Sequence, residues 1–228
     1  MAQVSTLLMR YLACMRRRLF LIYHFSLDSY TGKTTLVERL KDSLHCTQHK
    51  TPSGTFKTVR AFFDNFGGPL ARAYYMCSNY HLVYELHLHC KQKQQSFTFV
   101  IDRFYSSTAA YTIGGQTTGE EEDINALYRD CPELFIWPHD LSTPDVILLL
   151  EADEDVRMNR LSRRVVDPDV NEYDELLRKY KDLGKRINRC IKVLRHVDVV
   201  DANKNADEVL REAKYFVSSH SLYDTVVV

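Results

Sequence analysis

The sequence predicts an α/β fold in which helices cover both faces of a parallel sheet. Two observations predict it: short apolar runs recur along the chain, and stretches with helical patterning lie between them. The runs that look like buried strands are residues 19–25, 97–101, 146–150 and 197–200. Each run is too continuous for a strand that exposes one face to water. A chain of 228 residues that is 45% apolar has enough hydrophobic material for one such domain.

The first apolar run leads into TGKTT at residues 31–35, and a helical pattern follows. Strand, Gly-Lys-Thr loop and helix in this order are the parts of a phosphate-binding loop, so the sequence predicts the three-layer sandwich of the P-loop NTPases. In such loops the lysine reaches the outer phosphates and the next hydroxyl ligates magnesium, which gives these roles to Lys33 and Thr34. The apolar face of the helix has Leu36, Val37, Leu40 and Leu44.

The entrance of this loop is irregular, because the usual spacing asks for glycine five residues before Gly32 and Leu27 stands there. An L-residue forced to positive φ costs on the order of 1–2 kcal/mol. Three interpretations stay open: a working site with weakened ATP binding, a nucleotide-binding protein that has lost catalysis, and an error in the sequence at the loop entrance.

Between the strands, the pattern predicts a long helix over residues 69–93, a highly charged helix over residues 172–195 and a glycine-rich, acidic loop over residues 113–123. Thirty basic and thirty acidic residues cancel, so no net field attracts nucleic acid. No apolar run reaches the roughly 18 residues of a membrane span. The six cysteines form no C-x-x-C pair, which indicates reduced thiols.

An Asp-Arg pair, Asp102 and Arg103, follows the apolar run at residues 97–101. The carboxyl ends of strands are where open α/β sheets bind ligands, so the carboxylate can reach magnesium and the guanidinium can form a forked contact with phosphate. The other interpretation is a surface ion pair.

DRFYSSTAAYT (102–112), placed after a strand and following the TGKTT loop, resembles the thymidylate kinase family, and within it the branch of mitochondrial UMP-CMP kinases. The resemblance covers about residues 19–217. Further matching segments are residues 71–80, 137–150, 157–164 and 199–209.

This resemblance implies a nucleoside monophosphate kinase that uses ATP and Mg²⁺ to phosphorylate CMP, UMP, dCMP or dUMP to the diphosphate. The alternatives are a thymidylate kinase acting on dTMP and a catalytically impaired nucleotide-binding protein. Asp102 and Thr34 would organise the magnesium, and Asn203 would lie in the loop that holds adenine. The other residues expected to contact ATP are Ser29, Tyr30, Thr31, Gly32, Lys33 and Thr35.

For the acceptor nucleotide, the family resemblance implies that Arg103 and Arg60 face its phosphate and that Asp28 lies close to it. Arg60 also fits a solvated helix charge. Tyr75 and Asn79 are one helical turn apart, so the aromatic ring can stack on a base while the amide reads its edge. Thymidylate kinases carry arginine where Asn79 stands. The other interpretation makes Tyr75 a core residue and Asn79 a satisfied polar one.

Arginines cluster at residues 157–164, where related kinases keep their lid. Lid arginines close over the transferring phosphoryl group and exclude water, a role we expect for Arg160 and Arg164. The remaining arginines of this segment fit helix-surface charges.

The predicted organisation is a leader (1–18), a kinase domain (19–220) and a tail (221–228). The leader is basic and lacks acidic residues, a composition shared by mitochondrial presequences and by ordinary leaders before a first strand. We therefore expect a protein of the mitochondrion or the cytoplasm, with ATP and a pyrimidine monophosphate as its ligands. Related kinases often form homodimers.

Overall fold

The computed structural model describes residues 19–25, 31–93, 97–117, 120–162, 183–194 and 196–223. The predicted leader, the entrance of the phosphate loop and the first part of the predicted charged helix lie outside these residues. None of the described helices is both long and apolar enough to span a bilayer.

The strands of the described residues form one parallel sheet in the order β2-β3-β1-β4-β5. They are β1 (Leu19–Phe25), β2 (Thr47–Lys50), β3 (Phe97–Asp102), β4 (Val146–Glu151) and β5 (Asp198–Asp201). The helices in the first half of the chain are α1 (Lys33–Leu44), α2 (Gly54–Thr58), α3 (Arg60–Phe66), α4 (Gly68–Lys93) and α5 (Tyr105–Gly114). The described helices in the second half of the chain are α6 (Glu121–Asp130), α7 (Glu154–Ser162), α8 (Leu183–Leu194) and α9 (Ala206–Tyr223).

Alternate residues of the central strands enter two separate hydrophobic cores, as expected for a sheet covered on both faces. Phe99 and Ile101 of β3 pack in one core with residues of α4, α5 and α8. Val100, between them, packs in the other core with residues of α1 and α9. The predicted three-layer architecture is therefore confirmed.

The four strands predicted from apolar runs are present, and β2 is the strand that the sequence pattern missed. Its sequence, TQHK, contains no apolar run, and β2 pairs with β3 at the edge of the sheet. The predicted loop over residues 113–123 was too long. Helix α5 continues through Gly114, where an added Cβ would come within 3.0 Å of Ile187 of α8, and α6 already begins at Glu121.

Candidate active site

The phosphate loop and the Asp-Arg pair meet at the carboxyl edge of the sheet. The backbone of His24, near the end of β1, is in register with Asp102 at the end of β3. Helix α1 begins at Lys33 directly after Gly32, whose φ of 91° requires a glycine. Thr31 is buried, whereas Thr34 and Thr35 are exposed, so the first turn of α1 presents its N–H groups and hydroxyls to the edge where a ligand binds.

Arg160 of α7 lies against the phosphate loop. Its Nη1 donates a hydrogen bond of 3.2 Å to the carbonyl oxygen of Thr31, and its Nη2 donates one of 2.8 Å to the carbonyl oxygen of Ala202. One guanidinium thus joins the loop before α1 to the loop after β5. The predicted lid partner, Arg164, lies outside the described residues. Arg157 pairs with Glu154 at 2.7 Å, but its side chain is only 14% exposed, so it is not the helix-surface charge that was predicted.

Asn203 connects the ends of two strands. Its side-chain oxygen accepts a hydrogen bond of 2.8 Å from the backbone N–H of Asp153, which follows β4. Its own N–H donates to the side chain of Asp201, the last residue of β5, at 3.0 Å. The loop that was predicted to hold adenine is therefore fixed to its neighbour, close to Arg160.

Arg103 has a strained backbone at the end of β3. Its φ of 69° lies in the left-handed region, which costs a non-glycine residue about 1–2 kcal/mol. Thr51 holds this conformation: its hydroxyl donates to the Arg103 carbonyl oxygen at 2.9 Å, and its N–H donates to the Asp102 carbonyl oxygen at 3.2 Å. Strain that the surroundings maintain in this way is a common property of functional sites.

Asp102 is 5% exposed, and its Oδ2 lies 3.3 Å from Nζ of Lys50. Its carboxylate and the hydroxyl of Thr34 are hard oxygen donors at the same edge of the sheet, and this donor set fits Mg²⁺, which in kinases takes few protein ligands beside phosphate oxygens and water. The described residues contain no cluster of three or more His, Cys, Asp or Glu side chains arranged to hold a metal.

A cavity of about 680 Å³ opens beside Arg103, between α3, α4 and α5. Of the residues predicted to contact the acceptor, Arg60, Tyr75 and Arg103 line it, while Asp28 lies outside the described residues. The cavity also exposes Arg72, which lies one helical turn before Tyr75 on α4. The other polar residues of the lining are Thr51, Asp64, Ser107, Thr108, Tyr111, Thr112 and Gln116.

Arg60 and Tyr75 share one partner, Asp64. Nε of Arg60 donates to Oδ2 of Asp64 at 3.0 Å, and the hydroxyl of Tyr75 donates to Oδ1 of Asp64 at 2.6 Å. Burial raises the pKa of the Tyr75 hydroxyl, and the hydrogen bond to the carboxylate raises it further. Tyr75 therefore stays protonated at neutral pH and acts as a donor, and its ring forms part of the cavity wall.

Asn79 does not occupy the position that the sequence predicted. It is 1% exposed and lies behind the cavity lining, where its Nδ2 donates to the hydroxyl of Thr108 at 3.1 Å. Thr108 in turn lines the cavity. The helical spacing placed Asn79 near the face of Tyr75, but the packing of α5 against α4 puts Thr108 in front of the amide.

The sequence reasoning missed several residues of this site. Arg72 follows the same helical spacing as Tyr75, so an extension of that pattern by one turn would have found it. Thr51 and Asp64 belong to no motif, and the structure alone brings them to the cavity.

The strand order, the Gly-Lys-Thr loop at the start of α1 and the arginine-lined cavity at the same edge define a P-loop nucleotide kinase. A family model described as thymidylate kinase matches residues 30–213. The chain therefore belongs to the thymidylate kinase family, and it is a nucleoside monophosphate kinase, a phosphotransferase with ATP and a nucleoside monophosphate as ligands.

Known proteins resemble this chain at modest identity. The thymidylate kinase of Mesoplasma florum is 27% identical over 196 residues, which cover 81% of this chain and 88% of that protein. Human UMP-CMP kinase 2, mitochondrial, is 28% identical over 183 residues, covering 79% of this chain but 39% of the human protein. The structure of thymidylate kinase from Candida albicans superposes with a TM-score of 0.64, covering 90% of this chain and 93% of that chain. At 16% identity this last likeness concerns the fold.

Proposed function

We propose that this protein transfers the γ-phosphoryl group of ATP to a pyrimidine nucleoside monophosphate, and that dTMP is the first acceptor to test. The observation that carries the proposal is the arginine-lined cavity beside Arg103, at the edge of the sheet where α1 begins. The family match and the likeness to a thymidylate kinase over most of its length favour dTMP.

A second set of acceptors, CMP, UMP, dCMP and dUMP, is favoured by two observations. The chain resembles human UMP-CMP kinase 2, mitochondrial, although it spans 39% of that protein. This chain has Asn79 at the position where thymidylate kinases carry arginine. The amide of Asn79 donates a hydrogen bond to Thr108, which lines the cavity. A hydroxyl both donates and accepts, so Thr108 suits the edge of cytosine as well as that of uracil.

On the ATP side, we propose that the N–H groups at residues 29–35 hold the phosphates and that Lys33 neutralises their charge. Thr34 and Asp102 would hold Mg²⁺, which lowers the charge repulsion between the phosphates and the attacking oxygen. Arg160 would stabilise charge at the phosphate loop, and Asn203 would shape the adenine pocket; their hydrogen bonds to Thr31 and Asp201 support these roles. Arg164 belongs to the same proposal through the family resemblance.

On the acceptor side, we propose that Arg103 and Arg60 bind the monophosphate and that the ring of Tyr75 contacts the base. Asp28 would lie near the acceptor, as the family resemblance implies. Phosphoryl transfer requires positioning and charge neutralisation more than covalent chemistry, and this set of residues supplies both. We propose residues 19–220 as the kinase domain.

The test is ADP release from the purified full chain with Mg-ATP and, in parallel, dTMP, CMP, dCMP, UMP and dUMP. Turnover with one or more of these acceptors is the expected result, and the acceptor with the highest kcat/KM identifies the substrate. A folded sample that binds ATP but turns over none of them would overturn the proposal. It would favour the catalytically impaired binding protein to which Leu27 at the loop entrance points.

A further inference from the structure

Asp64 is an acidic residue in a cavity that we assign to an anionic acceptor, and the proposed function gives it no role. We propose that Asp64 is a positioning residue that holds Arg60 and Tyr75 in one hydrogen-bonded unit, so that the contacts to the acceptor's phosphate and base are in place before it binds. This inference rests on the proposed function, since it concerns the same cavity.

Neighbouring donors compensate the negative charge of Asp64. A carboxylate that lines a cavity for a phosphate dianion repels it, unless neighbouring donors compensate the negative charge. Both oxygens of Asp64 are engaged, one by Arg60 and one by Tyr75. The Asp64 and Arg60 side chains are 18% and 23% exposed, so water screens this pair less than it screens a surface ion pair.

Asp64 also orients the side chain of Arg60. Nε of Arg60, the guanidinium nitrogen nearest the backbone, donates to Asp64, so the carboxylate fixes the orientation of the guanidinium plane. The opposite end, Nη1 and Nη2, carries four further N–H donors in a fixed plane, which match the oxygens of a phosphate. Without Asp64, the long arginine side chain would have to be ordered when the acceptor binds, at a cost in affinity.

Asp64 joins two helices. Asp64 and Arg60 lie one turn apart on α3, whereas Tyr75 lies on α4. Gly67 and Gly68, with φ of 61° and 54°, reverse the chain between these helices and also line the cavity. The Asp64 to Tyr75 hydrogen bond therefore fixes the distance between the arginine and the tyrosine across this turn.

A separate aromatic contact also holds α3 against α4. The ring of Phe63 stacks on Tyr74 with a centroid distance of 4.6 Å and an interplanar angle of 11°. Tyr74 in turn meets the ring of Tyr75 edge-on at 4.9 Å. Because these contacts do not involve Asp64, we expect variants at Asp64 to fold with both helices in place.

The experiment compares the KM values for the acceptor and for ATP in the full chain. In Asp64→Ala, we expect KM for the acceptor to rise about 10-fold, the effect of losing hydrogen bonds to a charged group, while KM for ATP stays within about twofold. For Asp64→Asn, we expect an acceptor KM between those of the wild type and Asp64→Ala. The amide oxygen of asparagine still accepts a hydrogen bond from Tyr75, but the negative charge opposite Arg60 is lost. Tyr75→Phe keeps the ring and removes the hydrogen bond to Asp64. Because Asp64→Ala already removes this bond, we expect the double variant to have nearly the same acceptor KM as Asp64→Ala alone.

The matched control is Asp207→Ala, which removes the Arg39–Asp207 pair between α1 and α9. The side chain of Asp207 is 82% exposed, and we expect unchanged KM values for both substrates in this variant. An acceptor KM in Asp64→Ala equal to that of the wild type would overturn the inference. So would an equal rise of both KM values together with a lower melting temperature, since that result shows a general structural role.

Calorimetric binding separates this inference from the proposed function. If the wild type binds dTMP or CMP but transfers no phosphoryl group, the proposed function fails. Weaker monophosphate binding by Asp64→Ala would then still support the positioning role, and equal binding would overturn it. If the wild type binds no monophosphate, both proposals are overturned.

Discussion

The phosphate loop and the acceptor cavity are built in different ways. The loop residues that the structure describes are consecutive, run directly into α1, and follow from a local sequence pattern. The cavity instead combines residues from β2–α2, α3, α4 and α5 that are distant in sequence. A short motif therefore suffices to locate the loop that we propose for ATP, whereas the cavity that we propose for the acceptor depends on packing between helices.

Lys33→Ala should have the largest effect, because we propose that Lys33 neutralises the charge of the ATP phosphates. We expect kcat to fall at least about 100-fold, the scale measured when a preorganised charge-stabilising group is removed. The measurement is ADP release at saturating ATP and acceptor, with circular dichroism as the test of folding. Lys41→Ala, an exposed lysine on the same helix, is the control and should keep wild-type turnover. Wild-type turnover in Lys33→Ala would show that the motif does not mark the catalytic site.

Thr51→Val tests whether the acceptor side depends on a residue that no motif contains. Valine keeps the shape of threonine but removes the hydrogen bond to the Arg103 carbonyl oxygen. We expect a several-fold rise in KM for the acceptor and a loss of about 1 kcal/mol in the free energy of unfolding, measured in urea. Ser218→Ala, which removes an exposed hydroxyl bond on α9, should change neither quantity. An unchanged acceptor KM in Thr51→Val would mean that Arg103 keeps its position without this support.

Much of the fold could be predicted from the sequence, because buried parallel strands carry apolar runs and the Gly-Lys-Thr loop has a fixed relation to the strand and helix around it. Strand β2 could not, since TQHK has no apolar run and its position follows from pairing with β3. The cavity was predicted in part: Arg60, Tyr75 and Arg103 line it. Asn79 shows what helical spacing cannot predict. The spacing gives the face of α4 on which Asn79 lies, but not that Thr108 of α5 stands in front of its amide.

A comparison of Arg103→Gly with Arg103→Ala measures the strain at the Asp-Arg pair. Both variants remove the guanidinium and should lose acceptor binding, but only glycine adopts a φ of 69° without steric cost. We expect Arg103→Gly to be more stable than Arg103→Ala by about 1 kcal/mol in urea unfolding. Equal stability of the two variants would mean that the backbone at this position is not strained.

The smallest expected effect is a change in how the stability of the protein depends on pH, caused by a histidine of β2. His49 of β2 packs edge-on against Phe99 at 5.5 Å, and its burial lowers the histidine pKa, while Glu85 raises it in part. A lowered pKa means that folding favours the neutral ring, so the associated stability is present above about pH 6.5 and is lost as the pH falls towards the folded-state pKa. We expect His49→Gln to reduce the difference between the urea midpoints at pH 7.5 and pH 5.5. An identical pH difference in His49→Gln and the wild type would place the acid-sensitive groups elsewhere.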